Sequence, residues 1–105
     1  MSGRFQGKTS FGFKDIKLIE KKIEVVNRLG LHARPAALVV QKASKFKAEI
    51  RLIKDEYEVN AKSIMSVMML AAEMGSFLTI KAWGEDESTA VEEIAKLFEE
   101  KFGEE

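Results

Sequence analysis

The chain has 105 residues, 46% hydrophobic and 32% charged, with 17 basic side chains against 17 acidic ones. That length suits one domain with a single core, and the balanced charge gives no general pull toward nucleic acid. The absence of cysteine excludes disulfides, thiol catalysis and thiolate-bound metal, and a lone histidine excludes a histidine-cluster metal site within the chain.

The even balance conceals an asymmetry. Residues 1–22 carry six basic and two acidic side chains, 23–84 nine and six, and 85–105 two and nine. A mildly basic body with an acidic end would suit an acidic protein partner, although such runs often serve only as solvated faces. No apolar run approaches membrane-spanning length, and residues 1–22 lack the continuous apolar segment of a secretory signal. A cytoplasmic protein without membrane insertion is expected.

Met1 to Phe13 mixes Gly, Ser, Thr, Lys and Gln with Phe5, Phe11 and Phe13, and Gly3, Gly7 and Gly12 interrupt any periodic pattern. Residues 1–22 are therefore expected to form a flexible N-terminal extension, with the folded domain over 23–105. Ile16, Leu18 and Ile19 suffice for a short added strand or turn but no more. Gly3-Arg4-Phe5-Gln6-Gly7 is faintly similar to the phosphate loop of acylphosphatases. That loop needs an arginine shortly after the second glycine, and Lys8-Thr9-Ser10-Phe11 has none. The similarity is treated as chance.

Ile23-Glu24-Val25-Val26 reads as a strand that ends at the polar pair Asn27-Arg28. Gly30 permits a tight turn. From Ala33 onward, Ala36, Leu38, Val39, Ala43 and Phe46 recur at helical spacing, predicting a helix that ends near Ser44-Lys45-Phe46. Pro35, the only proline, is tolerated in a first turn, where its missing N–H has no intrahelical partner anyway. His32, the only histidine, thus falls at or beside the N-cap, with its ring over unpaired first-turn amides. The positive helix end disfavours imidazolium, so a mainly neutral, nucleophilic ring is expected at pH 7. The same amides attract an anion, and Arg34 adds a forked donor suited to phosphate oxygens. A site so equipped can accept a phosphoryl group without a metal ligand or a carboxylate base.

Gly30-Leu31-His32-Ala33-Arg34-Pro35-Ala36 resembles the active-site signature of HPr, the histidine-containing phosphocarrier of the bacterial phosphoenolpyruvate:sugar phosphotransferase system. The match is seven residues long and contains both rare residues. The bland alternative is that His32 merely caps a helix while Arg34 is a solvated charge. The full signature weighs against it. One departure lies beside the ring: Leu29 stands where the signature often has a polar residue that could assist there.

Ala48-Glu49-Ile50-Arg51-Leu52-Ile53-Lys54 alternates as a strand, with Ala48, Ile50 and Leu52 on one side. Asp55-Glu56 forms a tight connection without the glycine such turns prefer, and Tyr57-Glu58-Val59-Asn60 returns as a strand. Lys62 to Gly75 reads as a helix capped by Ser63 and ended by Gly75. Ile64, Val67, Met68 and Ala71 would form its stripe with Leu70 beside it, leaving Met65 and Met69 for another face. Ser76 to Trp83 is a strand with Leu78, Ile80 and Ala82 on one side and Phe77, Thr79, Lys81 and Trp83 on the other. Asp86 is placed to cap a last helix that buries Ala90, Val91, Ile94, Leu97, Phe98 and Phe102 and stops at Gly103.

The order β-α-β-β-α-β-α predicts an α+β open-faced sandwich, a four-stranded antiparallel sheet with three helices on one face. That order matches HPr over about residues 23–103. The resemblance implies that His32 accepts phosphoryl through Nδ1 from enzyme I, that Arg34 steadies it, and that enzyme IIA receives it. The protein would then be a carrier and no enzyme in its own right, with no cofactor, no metal and no nucleic-acid partner.

Lys62-Ser63-Ile64-Met65-Ser66-Val67-Met68 resembles the region around the regulatory serine of HPr proteins of Gram-positive type. It implies that Ser63 is phosphorylated by an HPr kinase/phosphorylase, with Ile64, Met65 and Met68 as the partner-binding patch. Ser66 departs from the glycine usual in those forms. An alternative on the same resemblance is a regulatory HPr-like module acting mainly through Ser63 phosphorylation on a catabolite-control transcription factor or a metabolic enzyme. The retained His32 argues against that as the sole role. A small α/β hydrolase or a nucleic-acid binder is weakly supported. The chain shows no paired catalytic carboxylates on a recognisable frame and no stacking aromatics set in a basic sheet.

Overall fold

The structure, a computed structural model, describes residues 18–104. Its elements are β1 (Leu18–Glu24), α1 (Ala33–Ala43), β2 (Glu49–Lys54), β3 (Tyr57–Asn60), α2 (Ile64–Met69), β4 (Phe77–Trp83) and α3 (Glu87–Glu99), followed by a 3-10 turn at Lys101–Gly103. All strand pairs are antiparallel, in the order β1-β4-β2-β3. This is the α+β sandwich expected from the element order.

Strand alternation sorts the sheet into two faces. Ile50 and Leu52 of β2 and Leu78, Ile80 and Ala82 of β4 are buried in one cluster with Val39 of α1 and Val91, Ile94 and Phe98 of α3. α3 lies against β1, β4 and β2, α2 beside β3, and α1 packs on both other helices. Among the described residues no helix is long and apolar enough to cross a membrane.

β1 begins five residues before the strand expected at Ile23–Val26. Leu18 to Lys22 pair fully with β4, from Leu18 opposite Trp83 to Glu24 opposite Phe77. The alternation was hidden by Lys21, which occupies an inward position between Ile19 and Ile23. Its ammonium reaches Glu92 at 3.7 Å and Glu99 at 3.9 Å on α3, so the aliphatic stem lies along the helix while the charge stays paired. The part of the expected extension over residues 1–17, including the Gly3–Gly7 run, lies outside the described residues.

The helix expected from Lys62 to Gly75 is only six residues long. It closes at Leu70, and Ala71 turns to φ +49, which breaks the helical path well before Gly75. Gly75 serves a different purpose: its N–H donates to the Val25 carbonyl at 2.7 Å, and Val25 donates to Ser76 at 2.9 Å, extending the β1–β4 ladder. Consequently Ala71 is exposed and the buried residues here are Val67, Leu70 and Ala72. Ile64 and Met68 do not form a buried stripe.

Asp86 stands at the N-cap of α3, yet its carboxylate makes no cap hydrogen bond. It accepts instead from the backbone N–H groups of Lys47 at 3.0 Å and Ala48 at 2.9 Å, clamping α3 to the entry of β2. The Lys47 hydrogen bond is the main reason that its carboxyl lies below the ordinary carboxylate range; burial opposes it, and the Ala48 bond assists. The Asp55-Glu56 turn manages without glycine because Asp55 itself takes the left-handed conformation, φ +55.

Candidate functional site

The loop that carries the histidine is fixed by backbone contacts to the segment after α2. Leu31 donates to the Ala72 carbonyl at 2.9 Å, and Gly30 donates to Asn27 at 3.1 Å. Gly30 has φ +71, and a Cβ there would lie 2.6 Å from the Ala72 oxygen. Glycine is therefore required both for its backbone conformation and for the close approach.

His32 follows as the N-cap of α1, with extended backbone (φ −80, ψ −171) and its carbonyl accepting from Ala36 at 2.9 Å. The ring makes no cap hydrogen bond. The amides of Ala33 and Arg34 lack a carbonyl four residues back within the helix, and buried Pro35 has no N–H to leave unpaired. The imidazole is 37% exposed and the Arg34 side chain 56% exposed, so neither is packed in the core.

What joins them is Glu104. Its Oε2 lies 2.9 Å from His32 Nε2 and accepts from Arg34 Nη1 at 3.0 Å, while its Oε1 accepts from Asn27 Nδ2 at 3.0 Å. Arg34 Nη1 also donates to the Phe102 carbonyl at 2.9 Å, and Asn27 Nδ2 to the Gly30 carbonyl at 2.8 Å. Partial burial, to 19% exposure, opposes the charged carboxylate. Hydrogen bonds from Asn27, His32 and Arg34 outweigh it and hold the Glu104 carboxyl below the ordinary range.

Two members of this cluster were not singled out as functional from sequence. Asn27 reads as the polar stop of a strand, yet it is fully buried under the loop. Its one signal is a polar residue continuing an apolar run three positions before the glycine. Glu104 sits within an acidic run and carries no local signal at all.

Ser63 is the N-cap of α2, as expected, its hydroxyl accepting from Ser66 N–H at 3.3 Å. That bond uses a backbone donor, so the Ser66 side chain has no part in it. Ile64, Met65 and Met68 are exposed on α2, Met65 to 71%, and Met69 to 75%. Leu29, beside the ring loop, is 71% exposed. The histidine cluster and the α2 patch are tied through α1–α2 packing and the Leu31–Ala72 hydrogen bond.

Fold and site together define a small open-faced sandwich that presents one histidine at a surface helix end. The family described as "PTS HPr component phosphorylation site" matches residues 19–100. The chain is 51% identical over 88 residues to the phosphocarrier protein HPr of Treponema pallidum, covering 84% of this chain and all of that relative. It is 47% identical over 83 residues to the HPr-like protein Crh of Bacillus subtilis, covering 79% of this chain and 98% of Crh. The crystal structure of HPr from Thermoanaerobacter tengcongensis superposes with a TM-score of 0.80 at 50% identity, over 83% of this chain and 98% of that one. The chain belongs to the HPr family of phosphotransferase-system phosphocarrier proteins.

Proposed function

We propose that this chain accepts a phosphoryl group on His32 Nδ1 from enzyme I and passes it to an enzyme IIA domain, as a cytoplasmic carrier and not an enzyme with its own small substrate. The observation that carries this reading is the placement of a solvent-reachable imidazole at the N-cap of α1, beside the free amides of Ala33 and Arg34 and the Arg34 guanidinium. Phosphoryl transfer asks a protein mainly for position and for donors that meet the spreading oxygen charge. The helix end and Arg34 provide both. Incubation with phosphoenolpyruvate and enzyme I should place an acid-labile phosphate on the chain, and equal labelling of His32→Ala would sink the assignment.

The likeness to Crh favours a second reading alongside the first. Ser63 is the target of an HPr kinase/phosphorylase, and the modified chain docks through Ile64, Met65 and Met68 on a catabolite-control transcription factor or a metabolic enzyme. A phosphate at this N-cap adds about −1.5 to −2 charges where first-turn amides stabilise it. ATP-dependent labelling by purified HPr kinase should vanish in Ser63→Ala, and an unlabelled native chain would remove the regulatory role.

A further inference from the structure

β1 has a hydrogen-bonded neighbour on one side only. It pairs with β4, and among the described residues no strand lies against its other edge. Just past its end, Val25 N–H donates to the Ser76 carbonyl beside β4. Main-chain groups of an antiparallel strand alternate between its two sides. The odd-numbered residues of β1 therefore address β4, while Leu18, Glu20, Lys22 and Glu24 turn N–H and C=O outward. The side chains of these four are exposed, whereas Ile19, Lys21 and Ile23 face inward. An open edge of seven residues is a template for another strand.

That edge is complementary to itself. Laid antiparallel against a copy of itself about Lys21, β1 sets Ile19 against Ile23, Glu20 against Lys22 and Leu18 against Glu24, each twice by symmetry. A two-fold axis that keeps both helical layers on one side permits register shifts of two residues only. One shift opposes Glu20 to Glu20, and the other opposes Lys22 to Lys22 and Glu20 to Glu24. The register centred on Lys21 alone matches apolar with apolar and acid with base. In it the outward main-chain groups of Glu20 and Lys22 meet as a reciprocal hydrogen-bonded pair.

We propose that the free edge of β1 is a self-association surface whose occupant is β1 of a second copy of this chain, in this register, joining two four-stranded sheets into one. A cleft of about 360 Å³ opens beside the edge, with Ile23, Val26, Phe98 and Glu99 among its lining residues. Ile19 of the second copy comes opposite Ile23 there and lays apolar surface at the cleft. Lys21 limits the strength of the contact. It meets its counterpart at the axis, and an inward charge on an edge strand ordinarily discourages pairing. Each ammonium, however, lies 3.7 Å from Glu92 and 3.9 Å from Glu99 of its own α3, so the axis gathers two ammonium groups among four carboxylates. Seven residues from each copy also make a contact below the standard interface size. The association is therefore weak and reversible. No residue of this edge belongs to the His32 cluster, so the proposal is independent of the carrier reading.

The test uses the full chain in sedimentation equilibrium over a concentration series, with the folding of each variant checked by circular dichroism. The native mass should rise with concentration toward twice that of one chain. Glu20→Lys opposes lysine to lysine, and Lys22→Glu opposes glutamate to glutamate, so each variant alone should self-associate about tenfold more weakly. An equimolar mixture of the two restores opposite charges at every such pair and should associate as well as the native chain. The double swap in one chain, which returns the net charge to the native value, should do the same. Amide exchange at Glu20 and Lys22 should slow as the native protein is concentrated. A native chain that stays monomeric, self-association indifferent to these charges, or a double swap no better than its single variants overturns the proposal. So does protection of both amides in the dilute monomer, which would mean that another segment of the same chain covers the edge.

Discussion

Glu104 and His32, 72 positions apart in sequence, meet at 2.9 Å, and the carboxylate that makes this contact is shared with Arg34 and Asn27. His32 is thus held from three directions: by the loop through Leu31 and Ala72, by α1 through the N-cap, and by the returning C-terminal turn. The last of these ties the ring to the acidic end of the chain.

Arg34 binds both the Glu104 carboxylate and the Phe102 carbonyl through Nη1, so its loss releases the C-terminal turn and, on the proposed carrier role, also removes a phosphate donor. Arg34→Ala should slow phosphohistidine formation by about tenfold or more and speed amide exchange at Gly103 and Glu104. Arg34→Lys keeps the charge but not the fork, and should recover only a fraction of the rate. Stopped quench-flow labelling and exchange measured on the same samples separate the two effects.

Asn27→Asp is the sharpest test of the buried amide. Nδ2 donates to the Gly30 carbonyl and to Glu104, so an aspartate would place a buried carboxylate against two acceptors. Folding should weaken by about 3 kcal/mol at neutral pH, the scale for an unpaired buried charge, and recover on acidification as the new carboxyl protonates. Urea unfolding at several pH values would show whether that recovery occurs.

Acid should loosen the wild-type chain at two identifiable points. The carboxyls of Glu104 and Asp86 are both held below their ordinary values of 4.5 and 3.8, which means the folded state binds fewer protons than the unfolded one in that range. Their stabilisation is present above those ordinary values and is lost as pH falls through the lowered folded-state ones. Glu104→Gln and Asp86→Asn should therefore be less stable than the native chain near neutrality and approach it as pH falls below the lowered folded-state values. Parallel acid titrations followed by circular dichroism test the convergence.

The sequence made the sheet and two of the helices legible because their signals are periodic. The alternation in β4 and the spacing in α1 and α3 survive any tertiary detail. It made His32 and Arg34 legible because they lie in one contiguous signature. Three features were not readable for physical reasons. β1 hides Lys21 at an inward position, and only the acids of α3 explain why a lysine is stable there. α2 stops early because the backbone at Ala71 turns to meet the loop that holds His32, a demand imposed from 40 residues away. Glu104 reaches the site only through a left-handed turn made mostly of non-glycine residues, and such a turn leaves no trace in propensity.

The apolar surface of α2 yields the last prediction. Ile64, Met65, Met68 and Met69 expose thioether and aliphatic surface on a helix whose only buried residue is Val67. A helix this short is held by packing, not by its own hydrogen bonds, so its exposed side chains are free to serve a partner. Methionine suits that task because it adapts its shape to more than one surface. Met65→Glu should leave folding within about 0.5 kcal/mol of the native chain, as an exposed substitution does. If the patch is where enzyme I or IIA docks, the same change should weaken association by about tenfold, the scale of a buried apolar anchor lost from an interface. Titration calorimetry against each partner measures this directly. Unchanged affinity for both would move the docking surface off α2, while the His32 chemistry would stand.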